Sequence, residues 1–235
     1  MARDMGTVLL VHGAWHGAWC WEPVVRALEA RGLRCVAPDL PLTSLRDDAD
    51  TVARLIRECA PGDPLLVVGH SYGGVVITQA AAEAPGAAEL VYLAAFVPDR
   101  GESLGSLIAH DPATALVSAI AFAPDQSTTI DPAKAREVFY HDCSPEVARD
   151  ATRRLRTYAA ACFQTPVDRV AWREIPSTYL VCADDRAIHP DAQRRMAARA
   201  TRAVEIPGSH SPFLARPGAL AEEIAARSAG AGRAP

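Results

Sequence analysis

The stretch that most constrains this chain is Leu65-Leu66-Val67-Val68, which runs without a break into Gly69-His70-Ser71-Tyr72-Gly73-Gly74 and on into Val75–Ala84. Four consecutive apolar residues fit a strand buried on both faces, the environment of a parallel sheet covered by helices on each side. The run after Gly74 meets no breaker until Pro85-Gly86 and reads as a helix. A strand that turns directly into a helix through Gly-x-Ser-x-Gly holds the serine in a crowded turn and exposes its hydroxyl at the strand end. A packing turn could share those five residues, but the strand before and the helix after favour a nucleophile. A phosphate-binding loop is excluded, because no Gly-Lys-Ser/Thr follows. Ser71 is the candidate nucleophile.

The same alternation recurs on both sides. Thr7-Val8-Leu9-Leu10-Val11, Arg34-Cys35-Val36-Ala37 and Leu90–Ala95 read as strands, with helices over Pro23–Arg31 and from an N-cap at Ser44 to Gly62. After Val97 the rhythm stops. From Pro98 to Arg173, Pro and Asp punctuate helical pieces, and Asp131-Pro132 and Ser144-Pro145 each read as N-cap and first helical residue. The helix from Pro145 is expected to carry Val147, Ala151, Leu155, Tyr158, Ala159 and Cys162 on one face. Strand Thr178–Ala183, helix Asp191–Ala200, strand Ala203–Ile206 and a helix from Pro217 complete the pattern, with Ser228–Pro235 expected to fray. The fold class is therefore α/β, a mostly parallel sheet with helices on both faces formed by residues 1–97 and 174–235. A helical cap, residues 98–173, is inserted into it.

A chain of 235 residues suits one such domain. Its net charge of −4 offers no basic footprint for a phosphate backbone, so no nucleic-acid partner is expected. Arg153, Arg154 and Arg156 read as a solvated helix face. No apolar run approaches the roughly 20 residues of a membrane helix. Met1–Met5 leads straight into the first strand, so a cytoplasmic protein without a membrane partner is expected. The six cysteines include no C-x-x-C pair, and neither a metal nor a cofactor is expected.

A serine nucleophile needs a base and an orienting acid from other strand ends, in the order Ser, Asp or Glu, His. Of seven histidines, His210 follows the last strand in Ile206-Pro207-Gly208-Ser209-His210 and is the candidate base. His12, His16 and His70 precede or adjoin the serine, His110 and His141 fall in the insertion, and His189 is too close to the acids to serve from a separate loop. Asp184 and Asp185 both follow the strand ending at Ala183, and spacing leaves both open. The oxyanion requires two backbone N–H groups, one of them on Tyr72. The other should come from the small-residue loop His12–Trp19, which His12 is expected to brace rather than to serve as a titrating group.

With these pieces the chain resembles the α/β-hydrolase superfamily over essentially its whole length. It is most similar to the small-cap branch of plant methyl-ester hydrolases, hydroxynitrile lyases and related bacterial esterases. Leu10-Val11-His12-Gly13-Ala14-Trp15-His16-Gly17 with Trp19, Ala37-Pro38-Asp39-Leu40, Gly69–Gly74 and Ser209-His210 carry the resemblance. It implies Asp185 as the acid, from the phase of Asp185-Arg186-Ala187-Ile188-His189-Pro190, and places the second oxyanion N–H on Ala14. Hydroxynitrile lyases of the branch carry threonine where Gly13 stands and lysine where Ser211 stands, which argues against cyanohydrin cleavage. The segment from Leu40 to Ser44 is short for the branch and suggests a more open pocket on that side. The expected activity is hydrolysis of a small-molecule carboxylic ester through an acyl-serine intermediate, with a homodimer left open. A lyase, a cyclase or a ligand-binding receptor on the same fold are the competing readings.

Overall fold

A computed structural model describes residues 6–61, 64–110 and 114–231. The expectations placed on Met1–Met5, on Gly62 and on residues 232–235 lie outside the described residues.

From its start the chain forms β1 (Thr7–Val11), α1 (Glu22–Glu29), β2 (Arg34–Val36), α2 (Leu45–Cys59), β3 (Leu65–His70), α3 (Gly73–Glu83) and β4 (Ala87–Leu93). It then leaves this layer to build α4 (Leu104–Ala109), α5 (Ala115–Ala119), β5 (Ile120–Phe122), β6 (Ser127–Ile130), α6 (Pro132–Phe139), α7 (Pro145–Arg153), β7 (Tyr158–Ala159) and α8 (Ala160–Gln164). It returns with β8 (Ser177–Cys182), α9 (Pro190–Ala197), β9 (Arg202–Ile206), α10 (Pro212–Ala215) and α11 (Pro217–Ala231).

The central sheet has the order β2-β1-β3-β4-β8-β9, and each pair in it is parallel. The winding direction reverses at β1, with β2 on one side and β3 on the other. The crevice beyond the carboxyl ends of β1 and β3 is thus the topological switch point, where open α/β sheets bind ligands. The loop after Val11 and the turn at Ser71 both leave from there.

The continuous apolar runs follow from burial on both faces. Leu9, Val11, Leu65, Val67, Leu90 and Tyr92 pack with the apolar stripes of α2 and α3. Their alternate neighbours Val8, Leu10, Leu66, Val68, Val91 and Leu93 pack with Val24 and Leu28 of α1 and with Leu220 and Ile224 of α11. Each such side chain contributes about 1.5–3 kcal/mol when removed from water, so the turns between the strands are held by a stiff core. Ser44 caps α2 as expected, accepting from the Asp47 N–H. Asp131 and Ser144 cap α6 and α7, each with proline in the first turn.

Four expectations need correction. The inserted segment is not wholly helical, because β5, β6 and β7 form an antiparallel sheet within it. The helix from Pro145 stops at Arg153 instead of running to Cys162. Tyr158 pairs with Thr128 in extended conformation and buries its ring against Trp15, Tyr72 and Phe163. Burial of a whole aromatic side chain outweighs the small propensity gain of another helical turn. The short segment Leu40–Ser44 does not open the pocket: Leu42 is buried, its N–H on Asp48 and its carbonyl on the Ala159 N–H. At the other end α11 continues through Ser228 to Ala231, where fraying was expected. Among the described residues no helix is long and apolar enough to cross a membrane.

Candidate active site

From Leu65 to Ala81 every residue is buried except Ser71, which is partly open. Its φ of +53° lies in the left-handed region that serine seldom adopts. The turn is held by the Ser71 N–H on the Leu93 carbonyl, while the Ser71 carbonyl accepts from Gly74 and Phe96. The flanking glycines are steric necessities. A Cβ on Gly69 would lie 2.6 Å from the Gly73 carbonyl oxygen, and one on Gly73 would lie 2.6 Å from that of Val11. The expected elbow is present, and Ser71 is its accessible member.

His210 lies in the turn before α10, 2 % exposed, and its Nδ1 is 2.7 Å from Asp185 Oδ2. The imidazole is brought to the elbow through His70. The two rings have centroids 4.5 Å apart, and His70 Nε2 donates to the His210 carbonyl. Asp185 is saturated: Oδ1 accepts from the N–H groups of Ala187 and Ile188, and Oδ2 accepts from Gln193 Nε2 as well as from His210. Four donors converge on this one buried carboxylate. Asp184 is exposed and faces the neighbouring loop, where its carboxylate accepts from the Gly208 N–H. Of the two adjacent acids the fold brings only Asp185 to His210.

The loop after β1 is braced from both ends. His12 Nε2 accepts from the Leu40 N–H at 2.9 Å, so Nδ1 carries the proton and donates to the Gly13 carbonyl at 2.8 Å. A trans peptide points its C=O and N–H in opposite directions. Holding the Gly13 carbonyl therefore aims the Ala14 N–H away from His12. His16 repeats the device, with Nδ1 donating to the Ala14 carbonyl and Nε2 accepting from Tyr140. Burial pushes the pKa of His12 down to about 4 and of His16 to about 3, and drives that of His70 well below its ordinary value. These three imidazoles are neutral braces. Neither the Ala14 nor the Tyr72 N–H has a hydrogen-bond partner among the described residues. Gly13 sits close to the serine, since a Cβ there would lie 2.9 Å from the Ser71 Cβ. A threonine at that position would press on the elbow.

Two supporting residues were missed at the sequence level. Asp48, fully buried on α2, accepts from the Tyr72 hydroxyl at 2.7 Å and the Leu42 N–H at 2.8 Å, and desolvation raises its pKa. Gln193 on α9 is equally buried and bridges Asp185, the Ile188 carbonyl and the Cys182 N–H. Each lies on the apolar face of an amphipathic helix, a misplaced polar residue that could have been read as a signal.

An apolar cavity of ≈ 190 Å³ adjoins this machinery, with Phe96, Phe163, Ile108, Leu116 and Ile188 among its lining residues. Phe96 bonds the Ser71 carbonyl through its N–H, and Phe163 packs on Trp15 next to Ala14. Among the described residues no group of three His, Cys, Asp or Glu side chains could hold a metal ion.

Comparison with known proteins identifies the family. The chain is 31 % identical over 232 residues to an alpha/beta hydrolase, nvfD, of Aspergillus novofumigatus, covering 89 % of this chain and 91 % of that one. It is 37 % identical over 109 residues to the probable esterase PIR7A of Oryza sativa subsp. indica, covering 41 % of each chain. A solved pyrethroid hydrolase from Sphingobium faniae JZ-2 superposes with a TM-score of 0.83 at 27 % identity, covering 95 % of this chain and 97 % of that one. These relatives are a fungal alpha/beta hydrolase, a plant probable esterase and a bacterial pyrethroid hydrolase. Residues 8–223 match the alpha/beta hydrolase family, and the chain belongs to it.

Proposed function

We propose that this carboxylic ester hydrolase works through an acyl-enzyme on Ser71. Ser71 Oγ attacks the ester carbonyl while His210 takes its proton, and Asp185 orients the ring and stabilises the imidazolium. The N–H groups of Ala14 and Tyr72 receive the charge that develops on the carbonyl oxygen. His210 then protonates the departing alkoxide, and a water activated by the same base releases the acid and restores Ser71. The observation that carries this reading is the buried His210–Asp185 pair at 2.7 Å, held against the residue that precedes a serine of positive φ.

The cavity bounds the substrate. Its wall is almost wholly hydrocarbon, and Thr114 on its rim already donates to the Ala187 carbonyl. A cavity of about 150 Å³ accepts a benzene ring, so this one suits a single aromatic or branched aliphatic group without charge. Elimination of cyanide would build charge on the leaving group and call for a cation beside His210. The next residue is a buried, neutral Ser211.

The test uses activated carboxylic esters of graded acyl and aryl size, a thioester, an anilide and mandelonitrile, each with Ser71→Ala as blank. Serine-dependent hydrolysis that peaks for a compact apolar group is expected. Serine-dependent cyanide release at a rate comparable to ester hydrolysis, or hydrolysis that survives Ser71→Ala, would overturn the reading.

A further inference from the structure

Four consecutive residues at the end of α6 each hold a piece of the loops around Ser71. The Phe139 carbonyl accepts from Ser209 Oγ at 3.2 Å, and the Tyr140 hydroxyl bonds His16 Nε2 at 2.8 Å. His141 Nε2 donates to the Asp184 carbonyl at 2.9 Å, and Asp142 Oδ2 accepts from the Ser209 N–H at 3.0 Å. The loops they reach follow β9, β1 and β8, and none is near this stretch in sequence. A helix end that merely roofed a pocket would need none of these bonds.

Each contact falls within two residues of a group assigned to catalysis. Asp184 precedes Asp185 and Ser209 precedes His210. The Tyr140 contact reaches the oxyanion loop by relay. Because His16 Nδ1 faces a carbonyl, its Nε2 carries the lone pair, and Tyr140 is the donor. Tyr140 thus fixes the imidazole that fixes the Ala14 carbonyl. The same loop is tied to the insertion twice more, by Trp15 Nε1 on Thr128 Oγ1 and by the Arg156 N–H on the Trp15 carbonyl. Trp15 has a φ of +59°, a conformation that such ties must sustain.

We infer that Tyr140, His141 and Asp142 are positioning residues for the ester hydrolysis, forming a clip by which the inserted segment sets the oxyanion loop and the triad loops in register. This rests on the acyl-serine reading. None of the three lines the apolar cavity, so the clip acts on the reacting geometry and leaves ground-state binding alone. Its loss lowers kcat and spares KM.

Tyr140→Phe keeps the ring and removes one hydroxyl, whereas Asp142→Ala removes an exposed acceptor that holds a different loop. A misplacement of about 1 Å can cost about 100-fold, so a fraction of that predicts a fall of about 10-fold in kcat for each variant. KM should stay within about twofold. Asp142→Asn retains an acceptor for the Ser209 N–H and should restore most of the rate lost in Asp142→Ala. Rates are normalised to the folded fraction and accompanied by the rate of Ser71 phosphonylation, which depends on the same oxyanion geometry. Tyr140→Phe and Asp142→Ala with unchanged kcat and phosphonylation, in a wild type whose turnover depends on Ser71, would sink this inference alone. Wild-type turnover independent of Ser71 would sink the esterase reading and this inference with it.

Discussion

Replacing Gln193 by glutamate changes a single terminal group, and it probes whether Asp185 is held as an acceptor by the Gln193 amide. The glutamine accepts from Cys182 N–H through Oε1 and donates through Nε2 to Asp185 Oδ2 at 2.7 Å and to the Ile188 carbonyl at 2.9 Å. An introduced carboxyl can still accept from Cys182. Its other oxygen faces two acceptors, and only a proton on it restores donation. Loading that proton at pH 7 onto a group of ordinary pKa about 4.3 costs about 1.4 kcal/mol per pH unit, or at most about 3.7 kcal/mol. The sign follows from the raised folded-state pKa of the new acid. Below about pH 4.3 both folded and unfolded chains hold the proton and the penalty vanishes. It grows as pH rises towards the folded-state pKa and is constant above it. Urea unfolding of both proteins between pH 4.5 and 8 should show a stability gap widening by about 1.4 kcal/mol per unit through the lower part of that range. A shared proton also weakens Asp185 as acceptor for His210, so kcat should fall at every pH where the variant remains folded. A stability gap independent of pH, or none at pH 7, would refute the argument.

Further outcomes follow from the same contacts. Asp185→Asn should lower kcat by about 10⁴ by favouring the wrong imidazole tautomer, the size seen when a serine protease loses its triad acid. Asp184→Asn should retain most activity, and steady-state kinetics on the pair decides between them. His12 and His16 fold with pKa values near 4 and 3 against an ordinary 6.5, so the unfolded chain binds protons that the folded chain refuses. Stability should therefore be full above about pH 6.5 and decline as pH falls towards 4, as followed by thermal melts, and a flat acid limb would contradict the buried-brace account. Gly73→Ala forces a Cβ to 2.6 Å from the Val11 carbonyl oxygen, and should cost about 1–3 kcal/mol of stability along with most of the turnover.

The central sheet and the elbow were legible because their signals are local. Val67 and Val68 sit in one unbroken apolar run, and Gly69 and Gly73 flank the serine at the spacing of the motif. His210 was singled out by elimination along the chain, and the fold places it beside Asp185. The choice between Asp184 and Asp185 was not, because adjacent residues at a strand end point opposite ways and periodicity is silent on which turns inward. Family resemblance pointed to Asp185, the residue that the fold places against His210. The small sheet of the insertion was illegible for another reason. Its strands span two to four residues, too short for an alternating pattern, and Tyr158 fits the apolar face of a helix as well as a strand. The brace Tyr140 joins segments 124 residues apart, a relation that no local pattern records, whereas Asp48 and Gln193 left only the local sign of a polar residue on an apolar helix face.

Intact-protein mass spectrometry after treatment with an activated alkyl phosphonate tests whether Ser71 is the nucleophile. A single adduct is expected, whose growth parallels the loss of esterase activity, mapped to the peptide that holds Ser71 and absent from Ser71→Ala. Hydrolysis that persists after complete labelling, or an adduct on any other residue that accompanies inactivation, would contradict it.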